Sequence, residues 1–156
     1  MTDTSRFQAL IRDFLTSRNM PAADTSYGLE FESEGVRVQV VAHPQQPDRL
    51  IVDAVVAALE PDTRAQLLQL LLEFNGEARF EHEWQAAIDA DTQLIVHTWA
   101  PLDGLTLARL EALMFEGIDQ ALALRALVQV SEDSAPVQPQ SEDSVGIGAQ
   151  AGFIRG

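Results

Sequence analysis

The side chains in this sequence that could do chemistry are few, and they are spaced poorly for it. Three histidines, His43, His82 and His97, fall on or beside stretches that alternate like β-strands. None has the His-Glu-x-x-His spacing that sets two imidazoles and a general base on one helical face. A hairpin built from "EARFEHEWQAAI" and "TQLIVHTWAP", with Ile88 opposite Thr92, puts Trp84 across from Val96 and Glu83 across from His97. A carboxylate beside an imidazole can exchange protons with a substrate, but on a strand surface the commoner outcome is an ion pair. Asp89 and Asp91 could offer oxygens to a divalent cation, yet Asp at a hairpin turn is ordinary turn chemistry. No glycine-rich phosphate loop follows a strand, and no Gly-x-Ser-x-Gly occurs. The expected sets of catalytic, metal-ligating and cofactor-binding residues are therefore empty, and the chain reads as a binding protein rather than an enzyme.

Charge narrows the partner. The chain carries 24 acidic residues against 10 basic ones, for a net charge of -14, and every basic residue is an arginine. Such a field repels nucleic acid and anionic lipid and favours neutral or basic protein partners. No aromatic and basic interleaving suits a nucleic acid. With 46% hydrophobic residues in 156, one domain can bury a substantial core. No apolar run is long enough to span a membrane, and "MTDTSRF" lacks a signal-peptide core, so a cytoplasmic location is expected. The absence of cysteine removes disulfides and thiolate metal sites.

The elements that must position these residues follow from periodicity. Phe7, Leu10, Ile11, Phe14 and Leu15 form one helical stripe, predicting a helix from about Thr4 to Asn19, with Pro21 beyond its end. "YGLEFES" alternates as a half-buried strand with Glu30 and Glu32 on its wet face. A turn at Gly35 leads into "VRVQVVAH", and a polar, two-proline link leads into "LIVDAVVAAL", a third strand apolar on both faces and hence central or covered. Pro61 opens a second helix expected to stop at Asn75-Gly76. The hairpin follows, and a third helix runs from after Asp103 and Gly104 to about Val128. The expected class is α+β, in the order α-β-β-β-α-β-β-α, with a twisted antiparallel sheet flanked by three helices.

The second helix is apolar on too many sides. Leu67, Leu68, Leu70, Leu71, Leu72 and Phe74 cover more of its circumference than one core-facing stripe requires, the first sign of a second copy of the chain. Trp84 and Trp99 read first as core aromatics, with interface roles as the alternative. After residue 130 the composition shifts to "SEDSAPVQPQSEDSVGIGAQAGFIRG", with a repeated "SEDS" and too few core residues to fold. The expected division is a folded domain over 1–130 and a disordered acidic tail over 131–156.

The opening "FQALIRDFL", the strand "YGLEFE", the block "LLQLLLEFNGEARFEHEW", the junction "LIVHTWAPLDGLTLARLEAL" and "GIDQALALRAL" together resemble the class I type III secretion chaperones, the CesT and SycE-like family. The size, charge and tail are also similar to the multi-client, Hpa-type export-control chaperones of plant pathogens. The resemblance covers about residues 4 to 128. It implies a virulence-associated homodimer without cofactors that binds the N-terminal region of secreted effector proteins and keeps it extended and export-competent. It raises the secretion ATPase as a further partner. The family's dimer interface maps onto Leu68, Leu71, Leu72, Phe80 and Trp84. Its client-binding positions map onto Phe7, Ile11, Phe14, Leu29, Phe31 and Val38. A small α+β adaptor or regulatory module with a small-molecule or peptide ligand is the competing expectation.

Overall fold

A computed structural model describes residues 3–21, 25, 28–59, 64–81 and 84–133, with backbone alone at 3, 64–66, 77–81 and 131–133. Tyr27, His82, Glu83 and the segment 134–156 lie outside the described residues, as does the start of the second helix expected at Pro61. The element order is α1 (Asp3–Ser17), β1 (Leu29–Ser33), β2 (Val36–Ala42), β3 (Arg49–Ala58), α2 (Arg64–Glu81), β4 (Gln85–Ile88), β5 (Gln93–Pro101) and α3 (Leu107–Asp133). The strands form one antiparallel sheet in the order β1-β2-β3-β5-β4. The α+β class and the order of elements are those the sequence predicts.

Local chemistry fixes most boundaries. At the end of α1, the Met20 amide donates to the Leu15 carbonyl at 2.9 Å and the Asn19 amide to the Thr16 carbonyl at 3.2 Å. Asn19 sits at φ 52°, which completes a left-handed helix stop. Between β1 and β2, Glu34 and Gly35 take φ values of 54° and 70°, the two positive angles that a two-residue hairpin turn needs to match strand twist. Gly28 precedes β1 at φ 127°, and a Cβ there would stand 2.3 Å from the Val40 carbonyl oxygen. The Thr106 hydroxyl caps α3 by accepting from the Arg109 amide at 3.2 Å.

One face of the sheet holds the core. In β3 the burial alternates strictly, with Leu50, Val52, Ala54 and Val56 sealed and Ile51, Asp53 and Val55 half-exposed. Leu110, Leu113, Met114, Ile118, Ala121, Leu124 and Val128 of α3 recur every three to four residues and share that cluster, and Phe7, Ile11, Phe14 and Leu15 of α1 close its β1 side. The Phe14 and Phe31 rings lie 6.1 Å apart. A bulge between Val55 and Ala57 shifts the β3–β5 register. Arg125 of α3 binds the backbone there, donating to the carbonyls of Val56 at 2.7 Å, Gly35 at 3.2 Å and Val55 at 3.3 Å.

The structure departs from expectation where α2 should have ended. The helix runs through Asn75 and Gly76 to Glu81, so Arg79 to Glu81 are helical and β4 is only four residues long. The register moves with it: Ile88 pairs with Leu94 and Gln85 with His97, so the expected Glu83–His97 pairing does not form. Gly76 keeps an ordinary helical backbone instead of a positive φ. Asn75 spends its side chain on the sheet rather than on a helix stop, as described below. α3 is also longer than expected, reaching Asp133 and so passing the boundary placed at residue 130.

A Cβ added at Gly76 meets nothing within 4 Å. Gly76→Ala should therefore stabilise α2 by about 0.5–1 kcal/mol and raise the melting temperature by a few degrees in a circular-dichroism scan. A lower melting temperature would mean that the helix breaks at this residue.

Candidate functional site

The half of the sheet that the helices leave bare carries an ordered set of side chains. Because β-strand residues alternate between faces, every residue paired across the sheet with Ile51, Asp53 or Val55 points the same way. Register sets Val41 beside Ile51 and Ile51 beside Trp99. The next row runs Glu30, Gln39, Asp53, His97, Gln85, and the row beyond it joins Val55, Ile95 and Ala87. Val41, Ile51, Val55 and Ile95 are half-buried but belong neither to the core nor to the residues packed against it. Trp99 is 51% exposed. Two apolar rows thus flank one polar row on a face that no described helix covers.

The polar row has its own electrostatics. Glu30 accepts from the Gln39 amide at 2.6 Å. Asp53 stands in the middle, opposite His97, and no described side chain hydrogen-bonds to its carboxylate. Burial raises the Asp53 pKa above the ordinary 3.8; His97 nearby pulls it down and Asp89 pushes it up. The two arginines of this face are engaged at its ends. Arg49 lies 3.9 Å over the Trp99 ring, and Arg37 reaches across β3 to donate to Gln93 Oε1.

A second apolar surface lies on the helical side, at the β4 edge. Of the leucines of α2, Leu67 and Leu71 are buried and Leu70 is half-buried, while Leu68 and Leu72, one turn apart, are 53% and 73% exposed. Leu68 lines a hollow of about 260 Å³ with Leu59, Ile88 and Thr92. The two-sided helix read from the sequence is real: one side enters the core, and Leu68 and Leu72 on the other are not covered by the described residues. The adjoining sheet edge is closed by a side chain. The Asn75 amide donates to the Ala86 carbonyl at 3.0 Å and accepts from the Ala86 amide at 2.8 Å, imitating a neighbouring strand.

The residues mapped by resemblance fall into two groups. Leu68 and Leu72 are surface; Leu71 and Trp84 are sealed in the core at 7% and 3% exposure and offer no contact area to a second chain. Phe80 is on α2, not on a strand, and its side chain lies outside the described residues. Among the client-binding positions, Phe7, Ile11, Phe14, Leu29 and Val38 are buried and Phe31 is half-buried. They support the face from behind rather than line it. Sequence reasoning missed Ile51, Asp53, Val55 and Ile95. The signal was present: in "LIVDAVVA" the single charged residue marks which parity of the strand is wet.

The other chemistry-bearing residues serve the fold. Asp89 Oδ1 accepts from the amides of Asp91 at 2.9 Å and Gln93 at 2.8 Å, the turn role the sequence suggested. His43 Nδ1 accepts from the amides of Gln45 and Gln46 at 3.2 and 3.1 Å. Among the described residues no group of His, Asp and Glu could hold a metal ion, and no helix is long and apolar enough to cross a membrane.

A family model named YbjN, described as "Putative bacterial sensory transduction regulator", matches residues 8–129. The chain is also similar to three solved structures. ExsC in its complex with ExsE is 20% identical with a TM-score of 0.68, over 82% of this chain and 97% of that one. SycH, a Yersinia pestis type III secretion chaperone held with a fragment of YscM2, is 15% identical with a TM-score of 0.55, over 76% and 98%. YbjN from E. coli is 15% identical with a TM-score of 0.53, over 80% and 90%. Among curated proteins there is no match. At these identities the likeness shows the fold, and the fold is that of the class I type III secretion chaperones.

Two outcomes follow from the buried groups. Ionised Asp53 opposes folding: its folded-state pKa lies above the unfolded one, so the folded chain holds the proton more tightly and stability falls as pH rises from 3.8 through the raised value. Asp53→Asn should therefore raise the melting temperature at pH 7, and the gain should vanish below the ordinary carboxyl range; an equal gain at every pH would assign the effect to packing. Trp84 packs on α3, where a Cβ at Gly117 would stand 2.6 Å from Cη2 of the indole. Gly117→Leu should cost about 1–3 kcal/mol by overpacking and shift Trp84 emission to the red in a Trp99→Phe background. Unchanged emission would place the indole elsewhere.

Proposed function

The chain belongs to the YbjN family, and from that premise we propose that it works as a polypeptide-binding protein of the secretion-chaperone kind. In this reading two copies associate through α2, and the dimer holds an extended segment of a client effector protein and keeps it competent for export. The observation that carries the reading is the display of apolar side chains on two surfaces, the bare sheet face and the outer side of α2, while a complete core exists without either. Contiguous apolar surface on a soluble domain marks an interaction site. An extended client satisfies its own backbone through water or strand pairing and needs only shallow apolar contacts, so such surfaces tolerate varied sequences. The net charge of -14 keeps a protein with that much exposed apolar area in solution. Nothing in this function calls for a catalytic group or cofactor.

The family description favours a second reading, a regulatory module whose bound partner is a signalling protein or small ligand. Both readings use the same surfaces and differ in the occupant. Light scattering with size exclusion separates them first: the proposal expects a dimer of about twice 17.1 kDa, and co-expression with a secreted effector of the same host should give a stoichiometric complex. A monomer that takes a metabolite and no polypeptide would favour the regulator.

The α2 surface gives a sharper measurement. Leu68 and Leu72 are exposed in the protomer, so Leu68→Asp and Leu72→Asp should leave the fold intact. Burying an unpaired carboxylate between two copies costs several kcal/mol, which corresponds to a loss of about a hundredfold or more in dimer affinity. A dimer surviving both changes excludes this side of α2. Leu71→Asp is not an equivalent test, because Leu71 is part of the core and its replacement should unfold the chain.

A further inference from the structure

We propose that the bare sheet face selects a client segment in which a basic residue is flanked at alternate positions by apolar ones, with the basic side chain seated against Asp53 and the apolar ones against Ile51 and Trp99 on one side and Val55 and Ile95 on the other. The inference rests on the polypeptide-binding reading above and specifies which polypeptides bind.

Spacing and charge carry it. Along β3 the outward residues are Ile51, Asp53 and Val55, and along β5 they are Trp99, His97 and Ile95. Both strands thus read apolar, polar, apolar with a step of about 7 Å, two residues of an extended chain. An extended segment lying along them presents its own alternate side chains with the same step. The centre of the face decides what the middle residue must be. Any occupant removes water from Asp53, which is already partly desolvated, and an unpaired buried carboxylate is costly. An apolar middle residue leaves that cost uncompensated and an acidic one adds repulsion. A lysine or arginine neutralises it.

The cations already on the face do not fill this role. Arg49 is held over Trp99 at one end and Arg37 is bonded to Gln93 at the other. His97 lies on the neighbouring strand and only moderates the charge. Glu30 at the rim and the overall charge of -14 add to the pull on a basic segment. The same charges argue against a second copy as the occupant: two such faces pressed together would bury two unneutralised aspartates. They argue equally against a nucleic acid.

The experiment uses the full chain and three fluorescently labelled eleven-residue peptides, identical except at the centre of a Val-Ser-X-Ser-Val core, where X is Arg, Met or Glu. Anisotropy gives affinities, and Trp99 emission reports occupation of the face. The expected result is at least tenfold tighter binding of the Arg peptide than of either other, with a blue shift of Trp99. Asp53→Asn should erase the preference, and Asp53→Arg should transfer it to the Glu peptide; should the reversed variant misfold, the Asn variant alone decides. Equal affinities, an Arg preference that survives at Asp53→Asn, or binding unchanged by Ile95→Asp would overturn the inference while leaving the polypeptide-binding reading in place. Trp99 burial that grows with protein concentration in the absence of peptide would make a second copy the occupant and overturn it too. If none of the peptides binds and a full-length effector also fails to bind, the reading and the inference fall together.

Discussion

The packing of α3 against the sheet is the contact on which the rest of the molecule depends. A helix of 27 residues is about 40 Å long, enough to cross β2, β3 and β5 and seal one parity of all three. The pleat of a strand then leaves no choice about the other parity: once Leu50, Val52 and Ala54 face α3, Ile51, Asp53 and Val55 must face away. The same helix fixes both ends of the arrangement. Gly117 gives Trp84 a seat against the helix backbone, which anchors the start of β4, and Arg125 donates to the carbonyls of Val55 and Val56 at the bulge in β3. A glycine inside a helix costs up to about 1 kcal/mol, and the burial of an indole over it offsets that.

What was legible in the sequence and what was not divides along the range of the interactions. The α1 stripe, the alternation in β1 and β2 and the Glu34-Gly35 turn are set by residues within a few positions of one another, and they fold as read. The end of α2 is not local. Asn75-Gly76 has the composition of a helix stop, but the Asn75 amide finds a partner in Ala86, eleven residues on, and once it is so engaged the helix continues. With this pair of tertiary hydrogen bonds come a shorter β4, a moved register and a Phe80 on the helix rather than a strand. The candidate site was legible in half. The surplus leucines of α2 announced an uncovered side, now visible at Leu68 and Leu72. The bare face was obscured because Ile51, Val55 and Ile95 look like core in composition, and only their shared parity with Asp53 separates them.

The positions that the resemblance marks as client-binding take a different part from the one expected of them. Phe7, Ile11 and Phe14 hold α1 against the sheet, and Leu29 and Val38 form the buried side of β1 and β2. Their contribution to any binding surface is to hold the strands in place beneath it. ExsC, SycH and E. coli YbjN share the fold with this chain at 15–20% identity, and a core of this kind constrains only the inward parity of each strand.

The treatment of the two sheet edges limits how such a platform can be used. A five-stranded sheet has two free edges, each a template for pairing with another strand. At β4 the Asn75 side chain takes the donor and acceptor of Ala86, so a second sheet cannot continue the first through that residue, although the exposed leucines of α2 lie beside it. A chain that docked beside that residue would have to do so through side chains, with apolar area supplying the attraction. At β1 no such plug is found among the described residues, but Glu30 and Glu32 stand exposed along the strand, and two copies meeting edge to edge would bring like charges together across the junction. One edge is closed by a hydrogen-bonded amide, and the other carries carboxylates that discourage pairing with a copy of itself. A protein that must display apolar surface without aggregating needs both devices.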